Sequence, residues 1–294
     1  MSIAAGEVRE FERQRPRLFA IAYRLLGSAS EAEDAVQDMY LRWSAADHAS
    51  VRTPGAWLTK ALTNLCLTRL TSARARRETY VGPWLPEPVD TSGSTLGPLD
   101  TAEQRESVSL ALLVLLERLT PPERAVFVLR EAFGYGHAEI AEILDLTEAN
   151  CQQLYRRARQ HVASERPRFT PSTGDRERIT RRFLDAARGG DLDGLRSLLA
   201  DDVVSWADGG GKVHAARKPV RGAERVAQYL CRLAGEAAGV GFVVTELNGQ
   251  PGIVATVGGA VLLAVVLDIV DGRVATVRLV ANPDKLGFLG TQLV

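Results

Sequence analysis

Cysteine is scarce in this chain of 294 residues: three occur, Cys66, Cys151 and Cys231. They are far apart, odd in number and lack C-x-x-C spacing, so neither a disulfide framework nor a metal site is indicated. Cys66 and Cys151 fall on apolar helix faces and are expected to act as small buried hydrophobes. Neither sign of charge is in excess, with 36 basic and 36 acidic residues. That balance argues against a general polyanion binder. It leaves DNA open, because local clustering of Arg and Lys is what counts. Basic residues do bunch, at Arg69 to Arg77 and at Arg156 to Arg168. Long hydrophobic runs are missing too. The longest, Ala260 to Val270, is too short to span a bilayer and alternates like a strand. The first residues, MSIAAGEVREFERQRPR, hold no apolar signal core. The expectation is a cytoplasmic protein with no membrane partner and no cofactor.

What the chain does contain falls into three parts and two linkers. Residues 6–78 read as three helices. The first carries Phe11, Leu18, Ile21, Ala22 and Leu25 inward and stops at Gly27. Ser30 with Glu33 reads as a capping box for the second, which turns Ala35, Val36, Met39, Tyr40 and Trp43 inward. Thr53-Pro54 opens a long third helix through Trp57, Leu58, Leu62 and Leu65. Residues 79–99 hold prolines and glycines without period and read as a linker. Trp84 and Leu85 are unusual there and imply docking on a surface. Residues 100–166 return to helical period, with a capping box at Asp100 and Glu103 and one stripe through Val108, Ala111, Leu112, Leu115 and Leu119. Residues 167–175 form a second linker ahead of the third part, 176–294. Two helices open that part. Val203–Ala207, Phe242–Leu247, Ile253–Val257, Val261–Ile269 and Val274–Val280 read as strands, with a helix over Gly222–Ala238. Asp271-Gly272 signals a tight hairpin. The third part is therefore α+β.

The stretch from Leu119 to Val162 carries the chemistry. Thr120 caps a helix beginning at Pro121, His137 to Leu144 is a short helix, Asp145-Leu146 a turn, and Thr147 caps a final helix. This is a helix-turn-helix, in which the last helix enters the major groove. Ala149, Cys151, Leu154, Ala158 and Val162 are its apolar positions, expected to pack on Ile140, Ala141 and Leu144. The opposite face is rich in Gln and Arg, which make paired hydrogen bonds to adenine and guanine edges. Gln152, Gln153 and Arg156 are assigned to bases, and Arg157 and Arg159 to phosphate. Asp145 stands where glycine is commoner, but Asp adopts the left-handed backbone more easily than most residues. Without the short helix and the turn, a solvated helix face would be the default reading.

LTPPERAVFVLREAFGYGHAEIAEIL followed by TEANCQQLYRRAR resembles the −35-reading domain of an extracytoplasmic-function sigma factor. EAEDAVQDMYLRW resembles that family's polymerase-binding helix, and TPGAWLTKALTNLCLTRLTSARARR its −10-reading helix. WLPEP (Trp84, Leu85, Pro86 and on to Pro88), DGGGK (Asp208, Gly209, Gly210, Gly211, Lys212) and NPDKL (Asn282, Pro283, Asp284, Lys285, Leu286) resemble the subgroup fused to a SnoaL-like domain. The resemblance implies two all-α sigma domains plus an NTF2-like cone, helices packed into a curved sheet. It implies core RNA polymerase as partner, through the β′ clamp helices and β flap, and promoter DNA, duplex at −35 and single-stranded at −10. It places Asp34, Gln37 and Asp38 at the polymerase. It places Lys60, Asn64, Arg69, Arg74, Arg76 and Arg77 at the −10 DNA, with Trp57 as an aromatic of the same helix. The loop Asp47 to Arg52 is expected to help form the pocket for flipped bases.

Three readings of the third domain compete. As an enzyme, Trp206, Asp208 and His214 would supply acid–base chemistry in a pocket; a buried Asp–His or Tyr–Asp pair would favour it. As part of a one-component regulator, it would sense a ligand for an operator-binding protein. The preferred expectation is control in cis: the DGGGK loop and NPDKL tail approach the WLPEP linker and the first or second domain, and tethering makes even a weak contact count. A small ligand of the cone is allowed, but no residue names it.

Overall fold

The computed structural model describes residues 5–93, 96, 102–163, 173–235 and 239–293, with the side chains at 5, 73–78, 102, 103, 163 and 173 excepted. Two compact units result. One holds residues 1–78, 93–108 and 112–165; the other holds 79–92, 109–111 and 166–294.

The first unit is all helix. α1 (Ala5–Leu26), α2 (Ala29–Ser44) and α3 (Pro54–Glu78) pack pairwise. Gly27 takes φ 69, a single left-handed residue that ends α1. The helix that follows is capped by Ser28, not Ser30: its side chain accepts from the Glu31 backbone N–H at 3.1 Å. Ser30 and Glu33 lie inside the first turns. Both serines satisfy the same local pattern, and the short connection through Gly27 selects the earlier one. Trp43 sits 2% exposed and donates to the Glu7 carbonyl. Trp57 packs against it at 5.6 Å between ring centroids.

The helical stretch expected from residue 100 to 119 is instead two short helices, α4 (Ala102–Glu106) and α5 (Leu110–Leu116). The break falls at Ser107, whose hydroxyl accepts from the buried Arg24 guanidinium at 3.1 Å. Val108, Leu112 and Leu119 of the expected stripe are buried, but Ala111 and Leu115 are half-buried, and Leu110, Leu113 and Leu116 are buried as well. The box at Asp100 and Glu103 lies outside the described residues. α6 (Pro121–Phe133), α7 (His137–Leu144) and α8 (Glu148–Ala163) complete the unit.

The second unit begins with α9 (Thr173–Gly189) and α10 (Leu192–Leu198), then β1 (Leu199–Asp208) and β2 (Val220–Arg221). After α11 (Ala223–Gly235) come β3 (Gly241–Leu247), β4 (Gln250–Val257), β5 (Ala260–Val270) and β6 (Arg273–Val280), and finally α12 (Gly287–Gln292). The sheet order is β2-β1-β6-β5-β4-β3. β3 to β6 form an antiparallel meander; β1 joins β6 in parallel. Asp271 and Gly272 take φ 50 and 76 at the β5–β6 hairpin, the turn their sequence signals. α9, α10 and α11 cover one face around Phe183, Leu195, Val226 and Leu230. This is the helix-lined α+β cone that the resemblance implies. No described helix is long and apolar enough to cross a membrane.

All three cysteines are free thiols. Cys66 is wholly buried, and burial pushes its thiol up to about 12. Only the thiolate reacts with disulfide reagents. Ellman's reagent at pH 8 is therefore expected to titrate half-buried Cys231 first and to leave Cys66 unmodified until urea unfolds the protein. Release of three equivalents at one native rate would contradict this burial.

Candidate functional site

The helix-turn-helix is built by local chemistry. Glu123 Oε2 accepts from both the backbone N–H (3.0 Å) and the hydroxyl (2.8 Å) of Thr120, closing the start of α6. α7 ends at Asp145, which takes φ 54, the left-handed backbone the turn requires. The Thr147 hydroxyl accepts from the Asn150 N–H at 3.2 Å and starts α8. Cys151, Ala158 and Val162 are buried on the inner face. Two apolar assignments need correcting. Ala149 is exposed, because α8 meets its neighbours only from Cys151 onward; on α7 the fully packed residues are Ile140, Ala141 and Ile143, with Leu144 half-buried.

The outer face of α8 presents Gln152, Gln153, Arg156, Arg157 and Arg159, all exposed. Arg159 lies 5.9 Å from the Tyr155 ring. Tyr155 in turn donates to Glu131 on α6 at 2.5 Å, which fixes its direction. One helix thus carries two carboxamides and three guanidiniums on a solvated face, a constellation suited to base edges and phosphates.

The other sites assigned from sequence are on α2 and α3, and several are already engaged. Asp34 and Gln37 are exposed, and Gln37 lines a surface cavity of about 180 Å³ with Phe11, Arg15 and Tyr40. Asp38, by contrast, accepts from Arg69 at 2.6 Å, and Arg69 also donates to the Glu31 carbonyl at 2.9 Å. A residue assigned to polymerase and one assigned to DNA therefore hold each other. Lys60 donates to the Glu142 carbonyl (2.8 Å) and to Asp145 (2.5 Å), at the helix-turn-helix corner. Nearby, Tyr135 donates to the Thr59 hydroxyl at 3.3 Å. Asn64 is half-buried on α3. The side chains of Arg74, Arg76 and Arg77 lie outside the described residues. The Asp47 to Arg52 segment forms a 3-10 turn at His48–Ser50, capped by Asp47, with His48 against Trp43.

In the second unit the linker, the DGGGK loop and the NPDKL tail meet. Asp208 is wholly buried. Its Oδ1 accepts from the Tyr80 hydroxyl (2.6 Å) and the Gly210 N–H (3.1 Å), and its Oδ2 from the Leu85 N–H (2.8 Å) and Lys285 Nζ (2.7 Å). Lys285, 7% exposed, also donates to the Leu85 carbonyl at 2.5 Å. Its ammonium lies 4.2 Å from the Trp84 ring centroid and 4.8 Å from that of Tyr80. Burial, then the bond to Asp208, raises the Tyr80 phenol above its ordinary range. Asn282 Nδ2 donates to the same Tyr80 oxygen at 2.8 Å. Gly210 takes φ 59, and a Cβ there would lie 2.3 Å from Asn282 Nδ2. Here the loop needs glycine both for its backbone and for its closest neighbour. Lys212 pairs with Asp284 at the exposed rim.

Further along, residues 85–91 are buried without a break. Val89 and Asn248 exchange bonds: the Val89 N–H donates to Asn248 Oδ1 (3.1 Å) and the Asn248 N–H to the Val89 carbonyl (3.0 Å). The Thr91 N–H donates to the Glu246 carbonyl at 2.9 Å, and Asp90 bridges Leu247 in antiparallel sense. Gln292 holds Asp90 through both its amide atoms. Residues 89–91 of the linker thus pair with the C-terminal end of β3, an outer strand of the sheet, and with the turn that follows it. Tyr80, Glu246, Asn248 and Gln292 were not singled out by sequence reasoning. Asn248-Gly249 did carry a signal, since Asn-Gly between apolar runs marks a hairpin, and both take positive φ.

Comparison with known proteins shows the family. Residues 11–76 match the family Sigma-70 region 2, and residues 109–162 match Sigma-70, region 4. The extracytoplasmic-function RNA polymerase sigma factor SigJ of Mycobacterium tuberculosis is 38% identical over 98% of this chain and 95% of its own length. The chain belongs to the extracytoplasmic-function sigma factors. A probable sigma factor of the same organism, SigI, is 33% identical over 95% of this chain and 94% of its own. The crystal structure of SigJ superposes with a TM-score of 0.75 at 35% identity, covering 95% of this chain and 98% of that one. This sigma factor directs transcription initiation, and its third part is the α+β domain fused to regions 2 and 4.

The enzyme reading gains nothing from the site. A Tyr–Asp pair does exist, half-buried Tyr80 with buried Asp208, but Lys285 neutralises the carboxylate. None of the three lines the cavity of the cone, and His214, which does, has no carboxylate beside it among the described lining residues.

Proposed function

We propose that this sigma factor binds core RNA polymerase through the Asp34–Gln37 face of α2, reads −35 duplex DNA with α8 and −10 single strand with α3, and is controlled in cis by its C-terminal domain. The observation that carries the control is the capture of the linker. The two promoter elements are named for positions about 25 base pairs apart, roughly 85 Å along B-DNA. A linker over 79–99 reaches about 70 Å when extended. Holding residues 80–91 on the C-terminal domain fixes the span of that segment and leaves roughly 25 to 30 Å of free chain beyond it. The separation of regions 2 and 4 that promoter binding requires is then restricted, and Lys60 stays with Asp145. That pair is exposed and weak, about 0 to 1 kcal/mol, so the linker supplies the restraint and the pair only follows it.

Run-off transcription with purified core polymerase tests the reading. The full chain and a form ending at Asp175 are expected to initiate from a shared promoter at rates differing severalfold. Identical rates would remove the control in cis; no initiation by either form would remove the polymerase and promoter assignments.

The assignment on α8 has its own check. Arg156→Ala or Gln153→Ala is expected to weaken −35 binding by about 1–3 kcal/mol, roughly fivefold to more than a hundredfold, and to relax preference at one base pair. Arg159→Ala is expected to weaken all sequences alike and to lower the salt slope by about one. Titrations of promoter and scrambled duplex at several salt concentrations separate the two, and loss of preference in Arg159→Ala would reverse the assignment.

A further inference from the structure

The cone of the second unit encloses a cavity of about 370 Å³. That is more than twice an engineered 150 Å³ cavity that takes one benzene, and it lies in the range of small-molecule sites. Phe183, Phe242, Leu230, Ile253 and Val265 are typical of its wall. His214 and Tyr229 are the polar side chains among the described lining residues; no carboxylate, ammonium or guanidinium is there. Leu262 and Val213, 46% and 41% exposed, mark the open rim.

One stretch of wall has a second role. Ala207, Val213, His214 and Ala215 also line a separate, more polar cavity of about 270 Å³, shared with Val81 and Gly82 of the linker. Asp208 to Lys212, which lie between those wall residues in sequence, make the linker clamp. A molecule in the cone therefore rests on the segment that holds the linker.

We propose that the cone binds an uncharged, compact, apolar molecule of two or three rings, and that its occupancy strengthens the hold on the linker. Charge is excluded because a buried ion would find no counter-ion among the described lining residues. The direction follows from mass action: a ligand fitted to the wall formed in the clamped arrangement favours that arrangement. Binding does not depend on the transcriptional control proposed above, and the two are read by different measurements.

The full chain is titrated with 1-aminoanthracene, a neutral three-ring fluorophore, and with anthracene-1-carboxylate as its charged counterpart. Saturable one-to-one binding of the amine is expected, with the carboxylate at least tenfold weaker. Ala255→Phe fills the depth of the cavity, and Leu262→Trp blocks the rim at an exposed position that tolerates bulk. Each is expected to weaken the amine at least tenfold, with a circular dichroism spectrum like that of the parent. The amine at saturation is also expected to slow chymotrypsin cleavage at Tyr80 and Trp84 at least threefold. No saturable binding, equal binding of the carboxylate, or undiminished binding by Leu262→Trp would overturn the site. Unchanged or faster cleavage would overturn its coupling to the linker.

Discussion

Asp208→Ala is expected to destabilise the second unit by about 3–5 kcal/mol and to free the linker. Removing one partner of a buried ion pair strands the other, and here the stranded group is the Lys285 ammonium, 8% exposed at its side chain. The same change leaves the Tyr80 hydroxyl and the Leu85 and Gly210 N–H groups without their shared acceptor. Thermal unfolding should fall by about 10 °C, and chymotrypsin should cut at Tyr80 and Trp84 in otherwise folded protein. The double change Asp208→Ala with Lys285→Met removes the stranded charge and should recover much of the stability without restoring the clamp. A fall of less than about 1 kcal/mol in Asp208→Ala would show that the network contributes little.

The second large effect lies in the first unit. Arg24 and Arg124 are 4% and 2% exposed, and burial pushes their guanidinium groups down, to about 10 and about 9. A guanidinium nonetheless keeps its proton near neutrality, so the shift registers the cost of holding charge away from water. Glu117 offsets that cost for Arg124 at 2.5 Å. Arg24 is held by the Ala20 carbonyl and Ser107 and lies 5.2 Å from the Phe133 ring, while Arg124 reaches the Arg24 carbonyl at 3.3 Å. These contacts join α1 to α6. Glu117→Ala is therefore expected to cost about 3–5 kcal/mol, lowering the urea midpoint of this unit as followed by tryptophan fluorescence. Glu117→Leu combined with Arg124→Met should cost far less, since an apolar pair leaves no charge stranded. Equal losses in the single and double variants would mean that packing, not charge, is what Glu117 supplies.

Much of this was legible in the residues themselves. Helical period and caps place α1 to α3 and α6 to α8, and alternation places β3 to β6, because these signals act within a few residues. Asp145 shows the limit of such reading: its left-handed backbone could be anticipated, but not that its carboxylate would hold Lys60. The cap at Ser28 and the break at Ser107 were missed for the same reason. Each is chosen by a partner elsewhere, Gly27 ending the preceding helix in one case and Arg24 reaching across in the other.

The sequence by itself determined the family, the helix-turn-helix and the meander, since these rest on local pattern and on motifs of contiguous residues. Only the tertiary structure decided that β1 runs parallel to β6, that Asp38 and Lys60 are occupied, and that Tyr80 and Leu85 sit on Asp208 while residues 89–91 pair with the end of β3. Those outcomes depend on pairing groups up to 202 residues apart in the chain. Hydrogen bonds and buried charges choose their partners by position in space, and neighbouring residues carry no record of that choice.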